Sequence, residues 1–306
     1  MALLGKIGTK RRAATLLGVL TVPIGMIMMA ASTAVAEEPQ PWQMGLQPAA
    51  SPVRERIDFL HDVILMPIIT VISVFVLALL LYVILRFSAK RHPTPSKTSH
   101  NTVLEVIWTT VPILILAVIF FPSMKLLYYV DRVQKADMTL KVIGHQWSWS
   151  YEYADYKDLS IDSNMMPEED ARKAHLPALL EVDNPVVVPV GAKIRLLITG
   201  TDVIHSWFVP AVGVQEYAIV GRTNESWMQL DRAGTYYGQC NQICGLNHPF
   251  MPIEIKAVAK AKFDQWADCE QKPSKERPQG GCAQFAVTDE GGDGAGAVAL
   301  AAATAH

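Results

Sequence analysis

The sequence lacks most of the signatures that identify soluble enzymes and disulfide-rich secreted proteins. Only four of its 306 residues are cysteine, too few for a disulfide-built scaffold. It has no nucleotide-binding glycine loop, no Ser-His-Asp set, no Cys-x-x-Cys-His heme motif and no basic patch for nucleic acid. Charged residues are scarce at 18%, whereas apolar residues reach 50%. This balance indicates membrane-spanning segments.

The first 36 residues have the pattern of a secretory signal. Four basic residues precede an apolar stretch over 13–31, and Ala34-Val35-Ala36 forms an A-x-A cleavage site. We therefore predict that residues 1–36 are removed on export, with an uncleaved membrane helix as the alternative. Residues 37–61 are then predicted to form a periplasmic N-terminal segment.

Two long apolar runs predict a transmembrane helical hairpin over residues 62–132. Residues 63–85 carry no charge, and residues 106–127 carry Lys125 alone. At about 1.5 Å per residue, each run crosses a hydrocarbon core of about 30 Å. Basic residues between the runs place the connecting loop in the cytoplasm. We expect two spans of a bacterial inner membrane, a lipid bilayer as partner, and both ends of the mature chain in the periplasm.

Short β-like runs dominate residues 133–260, which we predict to be a periplasmic all-β domain. Ile194, Leu196 and Ile198 alternate with other residues, as in a half-buried strand. Many short strands with turn signals between them predict an antiparallel sandwich or barrel. The predicted strands cover 139–143, 147–153, 186–189, 193–199, 226–230, 235–239 and 253–258.

The remaining residues, 261–306, are rich in glycine and alanine. We predict a partly disordered C-terminal tail. Cys269 and Cys282 lie in it, and an exported chain allows them to pair as a disulfide.

A cluster of soft metal ligands stands out in the stretch 240–251. Cys240, Cys244, His248 and Met251 fall within twelve residues, and His205 follows an apolar run upstream. Such ligands suit copper, zinc or iron–sulfur rather than magnesium or calcium. The second cysteine would let two thiolates bridge two metal ions. Spacing alone leaves open a structural zinc site or a Cys240–Cys244 disulfide.

The cluster resembles the CuA loop of cytochrome c oxidase subunit II from bacterial heme–copper oxidases. The similarity runs in order over residues 53–260 and includes Gly144-His145-Gln146-Trp147 and Val203-Ile204-His205-Ser206-Trp207. It implies a two-helix transmembrane hairpin followed by an all-β cupredoxin-like Greek-key barrel. It also implies dinuclear copper, with ligands from His205, Cys240, the backbone carbonyl of Gln242, Cys244, His248 and Met251.

The family's function implies roles for two further residues. Electrons from cytochrome c would enter at the copper and pass to heme in subunit I, where oxygen is reduced to water and protons are pumped. Trp147 matches the electron-entry position; a sheet-packing face shared with Trp149, Tyr151 and Tyr153 is the alternative. Glu105 matches the entrance of a proton path, and the alternative is a helix capping box begun by Thr102.

Docking and a second metal are also implied by the resemblance. Asp155, Asp158 and Asp202 are expected to attract basic cytochrome c, unless they are ordinary solvated charges. The family usually has glutamate at the position of Gln242, where it reaches a Mg or Mn ion at the subunit I boundary. Since a neutral amide holds a hard cation less well, we expect that second metal to be weak or absent.

Two other functions are alternatives to this one. A membrane-anchored copper carrier or assembly protein would need a simpler copper site and no aromatic strand. A copper-free subunit II of a quinol oxidase would lack the cysteine pair.

Overall fold

The computed structural model describes residues 38–94, 96–131, 135–278 and 281–287. The predicted signal segment and the end of the predicted tail lie outside these residues.

Two long apolar helices precede a β domain, as predicted. The first begins with α1 (Pro52–Asp58), continues through a π-helical stretch (Phe59–Leu65) and ends with α2 (Met66–Arg86). The second is α3 (Thr102–Asp131). Both are long and apolar enough to cross a membrane, and the apolar windows that pass this test are not buried in protein. Such exposure of apolar side chains is expected where lipid is the solvent.

The cap of α3 lies one residue before the predicted position. Asn101 Oδ1 accepts the Leu104 N–H at 3.2 Å, and the Asn101 N–H donates to Glu105 Oε1 at 3.2 Å. The predicted capping box begun by Thr102 is therefore corrected: Asn101 caps the helix, and asparagine is a stronger N-cap than threonine. Glu105 closes the reciprocal bond to the cap, so its side chain has a structural partner.

The start of the first helix is fixed to the β domain by a buried arginine. Arg54 donates from Nη1 to the Pro210 carbonyl at 2.8 Å and from Nη2 to the Gln47 carbonyl at 3.1 Å. At the end of α3, Trp227 Nε1 donates to the Tyr129 carbonyl at 3.1 Å. Both long helices are thus hydrogen-bonded to the β domain.

The β domain consists of two five-stranded sheets, in agreement with the predicted cupredoxin-like architecture. Their strand orders are β3-β2-β1-β5-β8 and β4-β10-β9-β6-β7. The strands are β1 (Met138–His145), β2 (Ser148–Tyr153), β3 (Ser160–Ser163), β4 (Val186–Pro189), β5 (Ile194–Gly200), β6 (His205–Val209), β7 (Val214–Ala218), β8 (Asn224–Met228), β9 (Gly234–Cys240) and β10 (Pro252–Val258).

The sheets are not purely antiparallel, which corrects the sequence-based expectation. β1 pairs with β5 in parallel, and β10 pairs with β4 in parallel. Parallel pairing requires a long crossover, and the chain between β1 and β5 supplies one that contains β2 and β3. The seven predicted strands are present with ends shifted by at most two residues, while β3, β6 and β7 were missed.

Part of the predicted tail packs against the β domain. Helix α4 (Glu168–Lys173) lies between β3 and β4. Helix α5 (Lys260–Glu270) buries Phe263 and Trp266, and the Trp266 ring centroid lies 5.2 Å from that of Tyr153. The Cys269–Cys282 disulfide is present and joins the helix end to the following segment. The missed signal was the helical spacing of Phe263, Trp266 and Ala267.

A buried carboxyl pair gives the domain a predicted pH dependence. The side chains of Glu181 and Glu254 are buried, at 4% and 1% exposure. The Tyr237 hydroxyl donates to Glu181, and the Val182 N–H donates to Glu254 Oε2 at 3.1 Å. Burial, and then the neighbouring Glu254, raise the pKa of Glu181 to about 8. The folded protein therefore holds a proton that the unfolded chain releases near the ordinary glutamate pKa.

We expect this proton to make the domain less stable as the pH rises from about 4.5 to 8, because over that range the native state binds more protons than the unfolded state. Replacing Glu181 with glutamine should flatten this slope and raise the free energy of unfolding at pH 8. Thermal unfolding of the full-length protein in detergent, followed across this pH range, measures the pH dependence of its stability. Glu152→Gln, which removes an exposed ion pair with Lys141, is the control and should change little. Parallel pH slopes for wild type and Glu181→Gln would contradict the prediction.

Candidate metal centre

Neighbouring strands bring the predicted ligands to one end of the second sheet. Trp207 of β6 pairs with Cys240 of β9, so His205, two residues before Trp207, lies at the sheet end where β9 enters the loop. The Cys240 N–H donates to the Met251 carbonyl at 3.1 Å and closes the base of that loop. Met251 is buried and directly precedes β10. Regular sheet pairing, rather than the loop alone, therefore fixes the positions of His205 and Cys240.

Three of the predicted ligands converge in the protein interior. One ligand atom from each of His205, Cys240 and Cys244 lies within 4.8 Å of the others, and all three residues are buried. Cys240 Sγ lies 3.3 Å from the Gln242 carbonyl oxygen, and Cys244 Sγ lies 3.6 Å from His248 Nδ1. The structure thus also places Gln242 and His248 beside the thiols.

The two loop cysteines are not bonded to each other. Their sulfur atoms are 3.9 Å apart, and both thiols are free. A disulfide would bring them to about 2.05 Å. The alternative of a Cys240–Cys244 disulfide is therefore not adopted, and both sulfurs remain available as ligands.

One buried ring nitrogen of His205 is left without a partner. Its Nε2 lies 2.9 Å from Asp202 Oδ1, and since a carboxylate only accepts, Nε2 carries the hydrogen. Nδ1 then carries a lone pair, and it is buried with no hydrogen-bond partner among the described residues. An unsatisfied buried polar atom costs about 1–3 kcal/mol. A metal ion bound at Nδ1 would remove this cost, with Asp202 orienting the ring as carboxylates do for metal-bound histidines.

The electrostatics of the thiols favour a cation between them. Burial opposes ionisation of Cys240, but the neighbouring His205 and backbone N–H groups outweigh it and lower the pKa of Cys240 to about 6. Burial, and then the negative charge of Cys240, raise the pKa of Cys244 to about 12. Two adjacent thiolates are therefore unfavourable without positive charge, and metal binding would deprotonate the second one. Soft thiolates with imidazole and thioether fit copper.

Trp147 lies in the turn before β2 and not on the strand with the other aromatic residues of its run, which corrects that part of the sequence analysis. β2 begins at Ser148, and Trp149, Tyr151 and Tyr153 are buried in the core. Trp147 precedes the strand and is partly buried. Its Nε1 donates to the Cys244 carbonyl at 3.3 Å. The indole is thus in direct contact with the cysteine loop.

The three acidic residues expected to form a docking surface have different environments. Asp155 and Asp158 are exposed, and Asp155 also accepts the Thr139 N–H at 2.5 Å. Asp202 is engaged in the site: it contacts His205 and accepts the N–H groups of Gln146 at 2.7 Å and of Val203 at 2.6 Å. Asp202 is therefore hydrogen-bonded within the site as well as exposed to solvent. Glu105 lies in the first turn of α3, on a different element from the metal cluster.

Replacing Asp202 with asparagine is expected to weaken copper binding about 10- to 100-fold, the usual cost of losing an outer-shell partner. The amide keeps the shape but not the charge that fixes the Nε2–H tautomer of His205. Chelator competition on the full-length protein measures the affinity. Asp158→Asn is the matched control, because Asp158 is an exposed acid outside the site. Equal affinities for wild type and Asp202→Asn would refute the orienting role.

Two residues that the site needs are named in the sequence analysis only as part of the Gly144-His145-Gln146-Trp147 motif, without a role of their own. A side chain at Gly144 would bring its Cβ to 2.8 Å from His205 Cδ2 and 3.1 Å from Trp149 Cζ3, so only glycine lets β1 pass the imidazole. A glycine inside a strand is a recognised sign of such close approach. Gln146 is the second: its Nε2 donates to the Cys244 carbonyl at 2.9 Å, and no sequence signal predicts this contact.

Comparison with known proteins gives consistent matches along the chain. Residues 138–258 match the family model for the periplasmic domain of cytochrome c oxidase subunit II, and residues 39–126 match the model for its transmembrane domain. A probable cytochrome c oxidase subunit 2 of Rickettsia bellii is 45% identical over 81% of this chain and 91% of its own length. Cytochrome c oxidase subunit 2 of Oenothera berteroana is 46% identical over 76% and 92%, respectively. Among solved structures, the periplasmic domain of subunit II of cytochrome oxidase of Bradyrhizobium japonicum is 46% identical, with a TM-score of 0.42, over 45% of this chain and 95% of that one.

Proposed function

This chain belongs to the cytochrome c oxidase subunit II family, and we propose that it is the electron-entry subunit of a respiratory oxidase with a dinuclear copper centre. Family membership makes it a membrane protein with a periplasmic β domain and a component of an oxidase complex. The dinuclear centre, the direction of electron flow and the coupling to proton pumping are the proposed parts.

The observation that carries the proposal is the pair of free, buried thiols 3.9 Å apart beside the unpartnered Nδ1 of His205. A mononuclear blue-copper centre would use one thiolate, whereas two facing thiolates are suited to bridging two ions. His205 and His248 would each bind one copper, and Met251 and the Gln242 carbonyl would be the weaker ligands. When bound, such a copper pair supplies one-electron redox chemistry. The strands that carry His205 and Cys240 would keep the ligands in place during that chemistry.

Electrons would enter from cytochrome c through Trp147, whose indole contacts the cysteine loop. They would leave toward heme, which belongs to subunit I, where oxygen is reduced to water and protons are pumped. Asp155 and Asp158 are exposed acids suited to attracting a basic donor. Glu105 would stand at the cytoplasmic entrance of a proton path. Since Gln242 carries no charge, a Mg or Mn ion at the subunit I boundary would be held weakly or not at all.

Electron paramagnetic resonance of the copper-loaded, full-length protein tests the proposal. One unpaired electron shared over two copper nuclei is the expected result. A mononuclear signal, or a silent Cu(I) site that exchanges its copper readily, would instead identify a membrane-anchored copper carrier or assembly protein.

A further inference from the structure

Gln146 joins the metal loop, the entry tryptophan and the carboxylate that orients His205. We infer that Gln146 is a positioning residue. It keeps the Trp147 indole and the Cys244 carbonyl in contact, so that the residue at which electrons enter stays against the metal loop. The electron-transfer half of this inference rests on the proposed function, whereas its structural half does not.

The first contact lies at the side chain of Gln146. Its Nε2 donates to the Cys244 carbonyl at 2.9 Å, and Trp147 Nε1 donates to the same oxygen at 3.3 Å. A carbonyl has two lone pairs, so this oxygen can accept both bonds. The shorter bond belongs to Gln146, which makes its amide the stronger restraint on the Cys244 peptide.

The second contact lies at the backbone of Gln146. Its N–H donates to Asp202 Oδ2 at 2.7 Å, while Oδ1 of the same carboxylate is paired with His205 Nε2 at 2.9 Å. The chain of bonds therefore runs from His205 through Asp202 and Gln146 to the Cys244 carbonyl. It connects a ligand on β6 with a ligand in the loop without passing through any metal ion.

Glycine at position 245 makes room for this arrangement. Gly245 has φ +120°, and a Cβ built there would lie 3.1 Å from Gln146 Nε2 and 3.1 Å from Trp147 Cζ2. Any side chain would push against both residues at once. The loop backbone is thus shaped so that the amide and the indole lie directly on the Cys244–Gly245 peptide.

The structural half is tested without copper. In the metal-free, full-length protein, Gln146→Met keeps side-chain length but removes the donor, so amide hydrogen exchange in residues 241–247 should rise about tenfold, the effect of losing one hydrogen bond. Gln215→Met, at an exposed position of β7, is the control and should leave exchange in the loop unchanged. Unchanged loop exchange in Gln146→Met would overturn the inference.

The electron-transfer half is tested in the assembled oxidase. Gln146→Met should slow electron entry from reduced cytochrome c about tenfold, with the affinity for cytochrome c unchanged. Trp147→Phe removes the other donor to the same oxygen. If the two residues act as one unit, the double variant should be no slower than the slower single variant. Independent, multiplicative slowing would overturn the inference. A wild-type protein that lacks the dinuclear signal would refute the proposed function instead, and the exchange experiment would still decide the structural half.

Discussion

Replacing Cys244 with serine is expected to abolish the dinuclear centre and, with it, electron entry into the oxidase. The structure places Cys244 Sγ 3.9 Å from Cys240 Sγ and 3.6 Å from His248 Nδ1, where it can bridge two ions. A serine hydroxyl is a hard ligand that stays protonated, so it cannot replace a bridging thiolate. The paired-copper resonance should disappear, and reduction by cytochrome c should become undetectable.

The same substitution should leave the fold intact, which separates loss of the metal from unfolding. Cys244 belongs to the loop and not to a strand, so the metal-free variant should unfold within a few degrees of the metal-free wild type. The double variant Cys269→Ser, Cys282→Ser is the matched control, because it removes the disulfide of the α5 segment but no predicted ligand. It should keep the paired-copper signal. A dinuclear signal in the Cys244→Ser protein would contradict the bridging role.

The proposed copper ligands could be named from sequence because a ligand's identity is a property of its own side chain. Thiols, imidazoles and a thioether within a short stretch indicate soft-metal chemistry before any fold is known. The membrane helices and alternating strands such as β5 were equally accessible, since each is recorded in local periodicity. β6 was not, because four of its five residues are buried and a strand buried on both faces loses the period-two pattern.

The residues that orient the ligands could not be predicted from sequence, because their roles depend on contacts between distant segments. Asp202 was expected at the surface as a docking acid, yet its two oxygens accept from His205 and from the Gln146 backbone, 56 residues away in the chain. Gln146 itself bonds to Cys244 across 98 residues. Trp147 was placed on a strand by its spacing, but the strand begins one residue later. The turn before β2 therefore sets the position of Trp147 against the cysteine loop.

Replacing Trp147 with glutamine is expected to slow electron entry from cytochrome c about a hundredfold, a barrier increase of about 2.7 kcal/mol. The glutamine amide can still donate to the Cys244 carbonyl that now accepts Trp147 Nε1, so the loop is held while the aromatic ring is lost. The copper spectrum should therefore remain that of the wild type, and a small inorganic reductant should reduce both proteins equally fast.

Trp42→Gln is the matched control, because Trp42 is 98% exposed in the N-terminal segment and its loss should not change the rate of electron entry. Entry at the wild-type rate in Trp147→Gln, measured by stopped flow with reduced cytochrome c, would show that electrons reach the centre by another route. A slower rate accompanied by an altered copper spectrum would mean that the ring holds the metal loop rather than conducting to it.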